Sequence, residues 1–286
     1  MAIDLDRKVG LLKELLGKMG SALVAYSGGV DSSFLLAIAK QALGDQVKAA
    51  TALSPTFPAR EKQEAEEIAQ SLGVELIEFQ SQELEQEQFR QNPENRCYYC
   101  KRELFRKLGK IAGQNHLRWI VEASNLDDLS DYRPGRKAIE ELEIRSPLLE
   151  IGFTKSEIRE ASKRIGLKTW DKPSFACLAS RFPYGEPITP EKLAQVEKAE
   201  EYLRTQGFKV IRVRHHRQVA RIELDQPGME KLLSSPELRQ TICQEFRKLG
   251  FLYASLDLLG YRSGSMNLAL DHPGRGRTPD DPDRRP

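Results

Sequence analysis

The stretch Ala22-Leu23-Val24-Ala25-Tyr26-Ser27-Gly28-Gly29-Val30-Asp31-Ser32-Ser33 decides the fold. Its first five residues make a short apolar run, the kind that fills a strand buried on both faces of a parallel sheet. The two glycines then let the backbone turn sharply and approach an anion closely. Beyond them the pattern predicts a helix over 33–42, whose N-terminal N–H groups favour phosphate. Ser27, Ser32 and Ser33 add hydroxyl donors. Asp31 is out of place beside an anion unless it holds a Mg²⁺ that neutralises the phosphates. The loop lacks a Walker-type lysine and is not GxGxxG. The plainer alternative is a glycine-rich turn capped by Ser and Asp.

Outward from this stretch, strands and helices alternate. Helices are expected over 4–18, 59–72 (closed by Gly73) and 101–112, and strands over 47–53, 74–79 and 117–123. Such alternation implies βαβ units, a doubly wound parallel sheet of the α/β class, and ligands at the carboxyl ends of the strands. Asn125, Asp127 and Asp128 follow the last of these strands and fall on that edge, suited to a second Mg²⁺ or to capping a helix. Thr154 and Glu157 form a capping box that opens a helix over 155–165. The texture then changes. Residues 170–190 are rich in Pro, Ser and Gly, and beyond them a helix (190–205), strands (208–214, 219–224), a helix (236–249) and a strand (252–256) predict a smaller α+β unit. The expected division is 1–186, 187–270 and a disordered tail, 271–286. No internal repeat is evident.

Bulk composition excludes several classes. The chain has 286 residues, 40% hydrophobic and 30% charged, enough for a real core. Forty-four basic against 42 acidic residues leave +2, which argues against a general nucleic-acid coat. The first twenty residues are mixed and charged, unlike a secretory leader. No apolar run approaches about 18 residues, so no membrane span is expected. A cytoplasmic enzyme follows.

Four cysteines are present: Cys97, Cys100, Cys177 and Cys243. In a reducing compartment they read as reactive thiols or metal ligands rather than disulfides. Cys243 lies in a helical pattern and reads as a small buried hydrophobe. Cys97 and Cys100 form CxxC at a helix start, where thiolate is favoured. No second CxxC completes a four-cysteine zinc site, and His116, His215, His216 and His272 show no ligand spacing to the thiols. Cys177 sits in a polar loop close to Arg181. Three thiolates can hold a cubane iron–sulfur cluster with one iron open; three unrelated thiols are the alternative. Farther on, Arg212, Arg214 and His216 alternate with Ile211 and Val213, projecting two guanidiniums onto one strand face as a phosphate or carboxylate clamp, or else as a solvated face. Glu200 and Glu201 on the preceding helix suit salt bridges or an active site.

The segments SGGVDSS (27–33), EASNLDDLSDYRPGRKA (122–138), RSPLLE (145–150), TWDKPSFACLASRFPYGEPIT (169–189), RVRHH (212–216), ARIEL (220–224) and DLLGYRSGSMN (257–267) together resemble the LarE family over about 5–270. These are ATP-dependent sulfur transferases of nickel-pincer nucleotide biosynthesis, on the PP-loop fold of the ATP pyrophosphatases. The resemblance implies ATP and Mg²⁺ at Ser27, Gly28, Gly29, Asp31, Ser32, Ser33, Asn125 and Asp127. It implies a pyridinium mononucleotide with two carboxylates, bound by Arg181, Glu200, Arg212 and Arg214, each carboxylate being adenylated and then converted to a thiocarboxylate. It implies either sacrifice of the Cys177 sulfur or, as in three-cysteine variants, a [4Fe–4S] cluster on Cys97, Cys100 and Cys177 fed by sulfide or another sulfur donor. A homohexamer is implied, and no stable nucleic-acid partner. Rivals are a tRNA thiouridine synthetase, an amide synthetase using ammonia, and a zinc-binding scaffold.

Overall fold

A computed structural model describes residues 4–129, 133–173, 176–262 and 264–269. The expected tail, 271–286, and His272 lie outside them. The chain divides into two bodies, 1–89 with 95–176, and 90–94 with 177–286. The second body thus takes in Leu178–Arg181, which the sequence placed in the first. Its excursion 90–94 is held there by backbone bonds from Ile188 N–H to the Arg90 carbonyl and from Gly185 N–H to the Asn92 carbonyl, both 2.9 Å.

The first body carries the strands β1 (Ala22–Ala25), β2 (Val47–Leu53), β3 (Leu76–Gln80) and β4 (Trp119–Val121), all parallel, in the order β3-β2-β1-β4. Its helices include α1 (Leu5–Met19), α2 (Val30–Leu43), α3 (Ala59–Ser71), α4 (Glu87–Arg90, at the crossing into the second body), α5 (Arg96–Gln114), α6 (Arg136–Glu141), α7 (Pro147–Ile151) and α8 (Lys155–Arg164). Strand pleating explains the doubly wound arrangement. Ala22 and Val24 of β1 join a core with Leu12, Phe34, Ala65 and Ile158, residues of α1, α2, α3 and α8. Leu23, between them, points the other way to Phe105 and Leu108 of α5 and Ile139 of α6. Both faces are covered, as a parallel sheet requires. Because β1 lies between β2 and β4, the chain's winding reverses beside it. The crevice at its carboxyl end is therefore the topological switch point.

The phosphate-loop helix starts earlier than the sequence suggested. It begins at Val30, so Asp31, Ser32 and Ser33 form its first turn, and the loop proper is Ser27-Gly28-Gly29. The expected strand 117–123 contracts to β4, and the CxxC helix extends back to Arg96.

In the second body β5 (Ile211–His216) pairs antiparallel with β6 (Val219–Leu224), and β6 pairs parallel with β7 (Tyr253–Leu256). Helix α9 (Pro190–Thr205) packs on β5. Helices α10 (Gln226–Ser234) and α11 (Pro236–Lys248) complete it. The sequence reading missed α10, because Pro227 and Gly228 obscure its start; Asp225 caps it by accepting the Gly228 N–H at 3.1 Å. Cys243 on α11 is half-buried rather than a core hydrophobe. Among the described residues no helix is long and apolar enough to cross a membrane.

The expected capping box is present: Thr154 Oγ1 accepts from Glu157 N–H, and Glu157 accepts the Thr154 N–H at 2.8 Å. Glu157 also takes Lys8 of α1 at 2.7 Å, so the box ties α8 to α1. Thr154→Ala is expected to lower unfolding stability by about 1 kcal/mol, read as a lower urea midpoint at unchanged slope; an unchanged midpoint would show that the box carries no weight.

Candidate functional site

At the carboxyl end of β1 the chain turns through Gly28, whose φ of +66° suits glycine. A Cβ there would lie 2.7 Å from Ala65 Cβ and 3.0 Å from Ala65 Cα, so the loop presses directly onto α3. The three serines build the inner wall. Ser27 Oγ and Ser32 Oγ lie 3.2 Å apart, Ser32 Oγ donates to the Gly29 carbonyl at 3.2 Å, and Ser33 Oγ lies 3.3 Å from the Tyr26 hydroxyl. Tyr26 is buried, which pushes its phenol up to about 12 against the opposing bond from Ser33, so it stays neutral.

Asp31 has two differently placed oxygens. One, Oδ2, takes the Lys155 ammonium at 2.5 Å. The other, Oδ1, is buried and accepts no hydrogen bond among the described residues. A buried carboxylate oxygen lacking a donor at the mouth of a phosphate-type loop fits a divalent cation. The residues therefore fit Mg²⁺, which Asp31 would hold.

The segment after β4 lies on the neighbouring strand end. Asn125 is buried; its Oδ1 accepts the Asp127 N–H at 3.0 Å, and its own N–H donates to Asp128 at 3.1 Å. Asp127 is exposed and accepts the Lys155 N–H at 2.5 Å. Asp128 is buried, and that burial raises its carboxyl above the usual range, with Arg133 only partly offsetting it. Asp127 is thus turned toward the α8 N-terminus beside Asp31, and Asp128 braces the turn. Glu122, buried, accepts from Ser124 Oγ at 2.8 Å and Ser146 Oγ at 2.5 Å, fixing the strand end.

Cys97 and Cys100 sit one turn apart at the start of α5, exposed and half-buried respectively. Cys177 is half-buried and belongs to the second body. Among the described residues no group of three or more His, Cys, Asp or Glu side chains is gathered to hold a metal. Cys97 and Cys100, three residues apart on α5, share one helix face.

The second body answers the question left by the alternating arginines. Arg181 and Glu200 are each 1% exposed and pair twice, Nε at 2.9 Å and Nη2 at 3.0 Å. Arg181 Nη1 also reaches the Cys177 carbonyl at 3.3 Å and Ser180 Oγ at 3.0 Å. Arg214, also buried, donates to Glu223 at 2.7 Å, to Ser265 Oγ at 3.0 Å and to the Ser180 carbonyl at 3.0 Å. Two guanidiniums therefore grip the turn that follows Cys177. Arg212 is half-buried instead, its guanidinium 4.9 Å from the centre of the Tyr261 ring. Glu201 pairs with Arg204 on the outer face of α9.

The NAD synthase family profile matches residues 5–103, which span the sheet's first three strands and the glycine loop. A pyridinium-3,5-bisthiocarboxylic acid mononucleotide synthase of Lactiplantibacillus plantarum is 36% identical over 93% of the chain and 96% of its own length. The chain belongs to that family, the LarE family of PP-loop enzymes. An uncharacterized protein of Synechocystis sp. is 42% identical over 93% of the chain and 99% of its own length, and one of Methanocaldococcus jannaschii is 30% identical over 84% and 90%. The family reading drawn from the motifs and the α/β fold expected from the sequence are thus both established.

Sequence reasoning missed three contributors to this LarE-family site. Lys155 was read only as the first residue after a helix cap, yet its ammonium neutralises Asp31. Glu223, fully buried, was read only as part of a strand, yet it is the counter-ion of Arg214. Lys172, in the 169–189 motif, contacts the glycine loop. Lys155 meets Asp31 across 124 residues, so no local signal marked it; Glu223 reaches Arg214 only diagonally across the antiparallel β5–β6 pair, which one sequence does not reveal.

Glu200 ties the second body to pH. Burial pushes its carboxyl up, but the Arg181 charge and hydrogen bonds, with Arg212 and the Val213 N–H, outweigh this and hold it below the ordinary 4.5. A carboxyl whose folded pKa is depressed stabilises the fold above pH 4.5, and that stability is lost as pH falls through the lower folded value. Glu200→Gln is expected to cost about 3 kcal/mol near neutrality by stranding buried Arg181, and to flatten the fall of melting temperature below pH 4.5. Parallel melting curves for the variant and the parent would refute the assignment.

Proposed function

We propose that the chain is an ATP-dependent sulfur transferase that converts the carboxylates of a pyridinium-3,5-dicarboxylate mononucleotide to thiocarboxylates. The observation that carries this reading is the presence in one chain of a glycine phosphate loop, with a donorless Asp31 oxygen, and of a half-buried Cys177 whose turn is clamped by two arginines. ATP would lie with its phosphates on Ser27, Gly28, Gly29, Ser32 and Ser33, Mg²⁺ on Asp31, and Asn125 and Asp127 on the adjoining strand end. The substrate carboxylate attacks the α-phosphorus, forming the acyl adenylate and releasing pyrophosphate. A sulfur nucleophile then adds to the acyl carbon and AMP leaves with the C–O bonding electrons. Lys155, paired with Asp31, would suit the departing negative charge.

Arg181, Glu200, Arg212 and Arg214 belong to the proposed substrate site in different capacities. Arg212, the half-buried one, suits the mononucleotide phosphate. Arg181, Glu200 and Arg214 shape the turn that presents Cys177. Cys97, Cys100 and Cys177 would hold a [4Fe–4S] cluster, which when bound supplies an iron-held sulfide as the nucleophile. The same proposal includes a sulfide-type donor, a cytoplasmic setting and assembly of like subunits into a homohexamer.

Anaerobic purification with iron and sulfide analysis, paired with product counting, tests it. The parent is expected to carry about four irons per chain and to make more than one thiocarboxylate per chain. Cys177→Ala is expected to release pyrophosphate but form no thiocarboxylate. Single turnover with Cys177 left as dehydroalanine would mark the sacrificial route instead. Undiminished thiocarboxylate from Cys177→Ala would sink the sulfur assignment.

A further inference from the structure

We infer that Lys172 is a positioning residue that locks the Gly28–Gly29 peptide in its phosphate-binding orientation, so that the strap carrying it sets the affinity for the polyphosphate of ATP. The inference rests on the ATP reading above.

The Lys172 ammonium is mostly buried and meets three groups. It forms ion pairs with Glu61 at 2.7 Å and Glu64 at 2.8 Å, both on α3, and donates to the Gly28 carbonyl at 3.3 Å. Burial pushes the Glu64 carboxyl up, but the bonds from Lys172 and Arg60 outweigh it and hold it below the usual range. Lys172 is thus fixed by two carboxylates on the helix against which Gly28 packs.

The carbonyl it holds is the informative one. In a planar trans peptide the C=O and the following N–H point in opposite directions. Holding the Gly28 carbonyl toward α3 therefore directs the Gly29 N–H away from it. A glycine pair is where such a peptide plane turns over most easily, because neither residue has a Cβ to oppose it. A loop that binds anions through N–H groups loses a donor and gains a repelling carbonyl if the plane flips. Lys172 blocks that flip by a charge-assisted bond to the carbonyl.

The strap is itself pinned to the first body. Arg159 of α8 donates to the Trp170 carbonyl at 2.7 Å and to the Lys172 carbonyl at 2.8 Å, and the Lys163 ammonium lies 4.7 Å from the centre of the Trp170 ring. Lys172 stands five residues before Cys177 in the chain. The segment that leads to the sulfur-bearing turn thus begins with a lysine fastened to the nucleotide loop.

Calorimetric titration of the full chain with Mg-ATP and with AMP, for the parent, Lys172→Met and Lys172→Arg, tests the lock. Lys172→Met is expected to weaken Mg-ATP binding about tenfold and AMP binding by less than about threefold, since AMP carries no β- or γ-phosphate. Lys172→Arg, which keeps the charge and a donor, is expected within about threefold of the parent for both. Hydrogen exchange at the Gly29 amide is expected to quicken in Lys172→Met alone. Equal Mg-ATP affinity in Lys172→Met and the parent overturns the lock. So does an equal loss for both nucleotides with a lowered melting temperature, which marks a merely structural role. A parent that binds no Mg-ATP overturns the ATP reading itself, and the lock falls with it.

Discussion

Strand β1 is paired in parallel on both sides, to β2 and to β4, and the chemistry of the first body follows from that pairing. Two parallel neighbours demand crossover helices on both faces, and the reversal of winding beside β1 opens a crevice at its carboxyl end. Ser27-Gly28-Gly29 and the first turn of α2 fill one side of this crevice, and Glu122 to Asp128 fill the other. The two segments lie at adjoining strand ends, close enough that Asp31 and Glu122 both act electrostatically on the Asp128 carboxyl. Asp31 would be an unfavourable neighbour for phosphate were it not matched by Lys155 from α8. The ammonium orients one carboxylate oxygen and leaves the other without a donor.

The second body rests on a different force. Arg181–Glu200 and Arg214–Glu223 are buried ion pairs, and taking such charges out of water costs several kcal/mol per ion. Apolar residues of similar volume would stabilise the fold as well. What the ion pairs add is direction: Arg181 reaches the Cys177 carbonyl, and Arg214 reaches the Ser180 carbonyl. A short irregular turn has few backbone bonds of its own, and these guanidiniums supply them. The cost of burying charge is met in order to hold a turn that carries a thiol.

This division explains what could be read from the sequence. The parallel sheet, the glycine loop and the capping box were legible because each depends on neighbours in sequence: an apolar run, two glycines, a Thr three residues before a Glu. The start of α2 was placed late because Val30 and Asp31 look like loop residues until the helix dipole and the anion site are considered together. Arg214 alternated correctly along its strand, but its burial depends on Glu223, which the β5–β6 register sets opposite Arg212 and therefore diagonal to Arg214. Lys155 and Lys172 act across 124 and 144 residues of chain, on Asp31 and Gly28. Contacts of that range leave no local signature, so the family resemblance supplied roles at positions where single-residue chemistry could not.

The placement of cations in the first body orders the chemistry. Lys155 sits on the carboxylate proposed to bind Mg²⁺, and Lys172 sits behind the peptide that would face the phosphate. Neither is inside the glycine loop, which is why the loop needs no Walker-type lysine. A lysine in the loop would contact the nucleotide throughout the cycle. A lysine held on Asp31, outside the loop, would instead be placed to answer negative charge as it builds on the proposed pyrophosphate leaving group. Such an arrangement would favour the transition state of the proposed adenylation over its bound ground state, because an ammonium placed in this way interacts more strongly as charge develops.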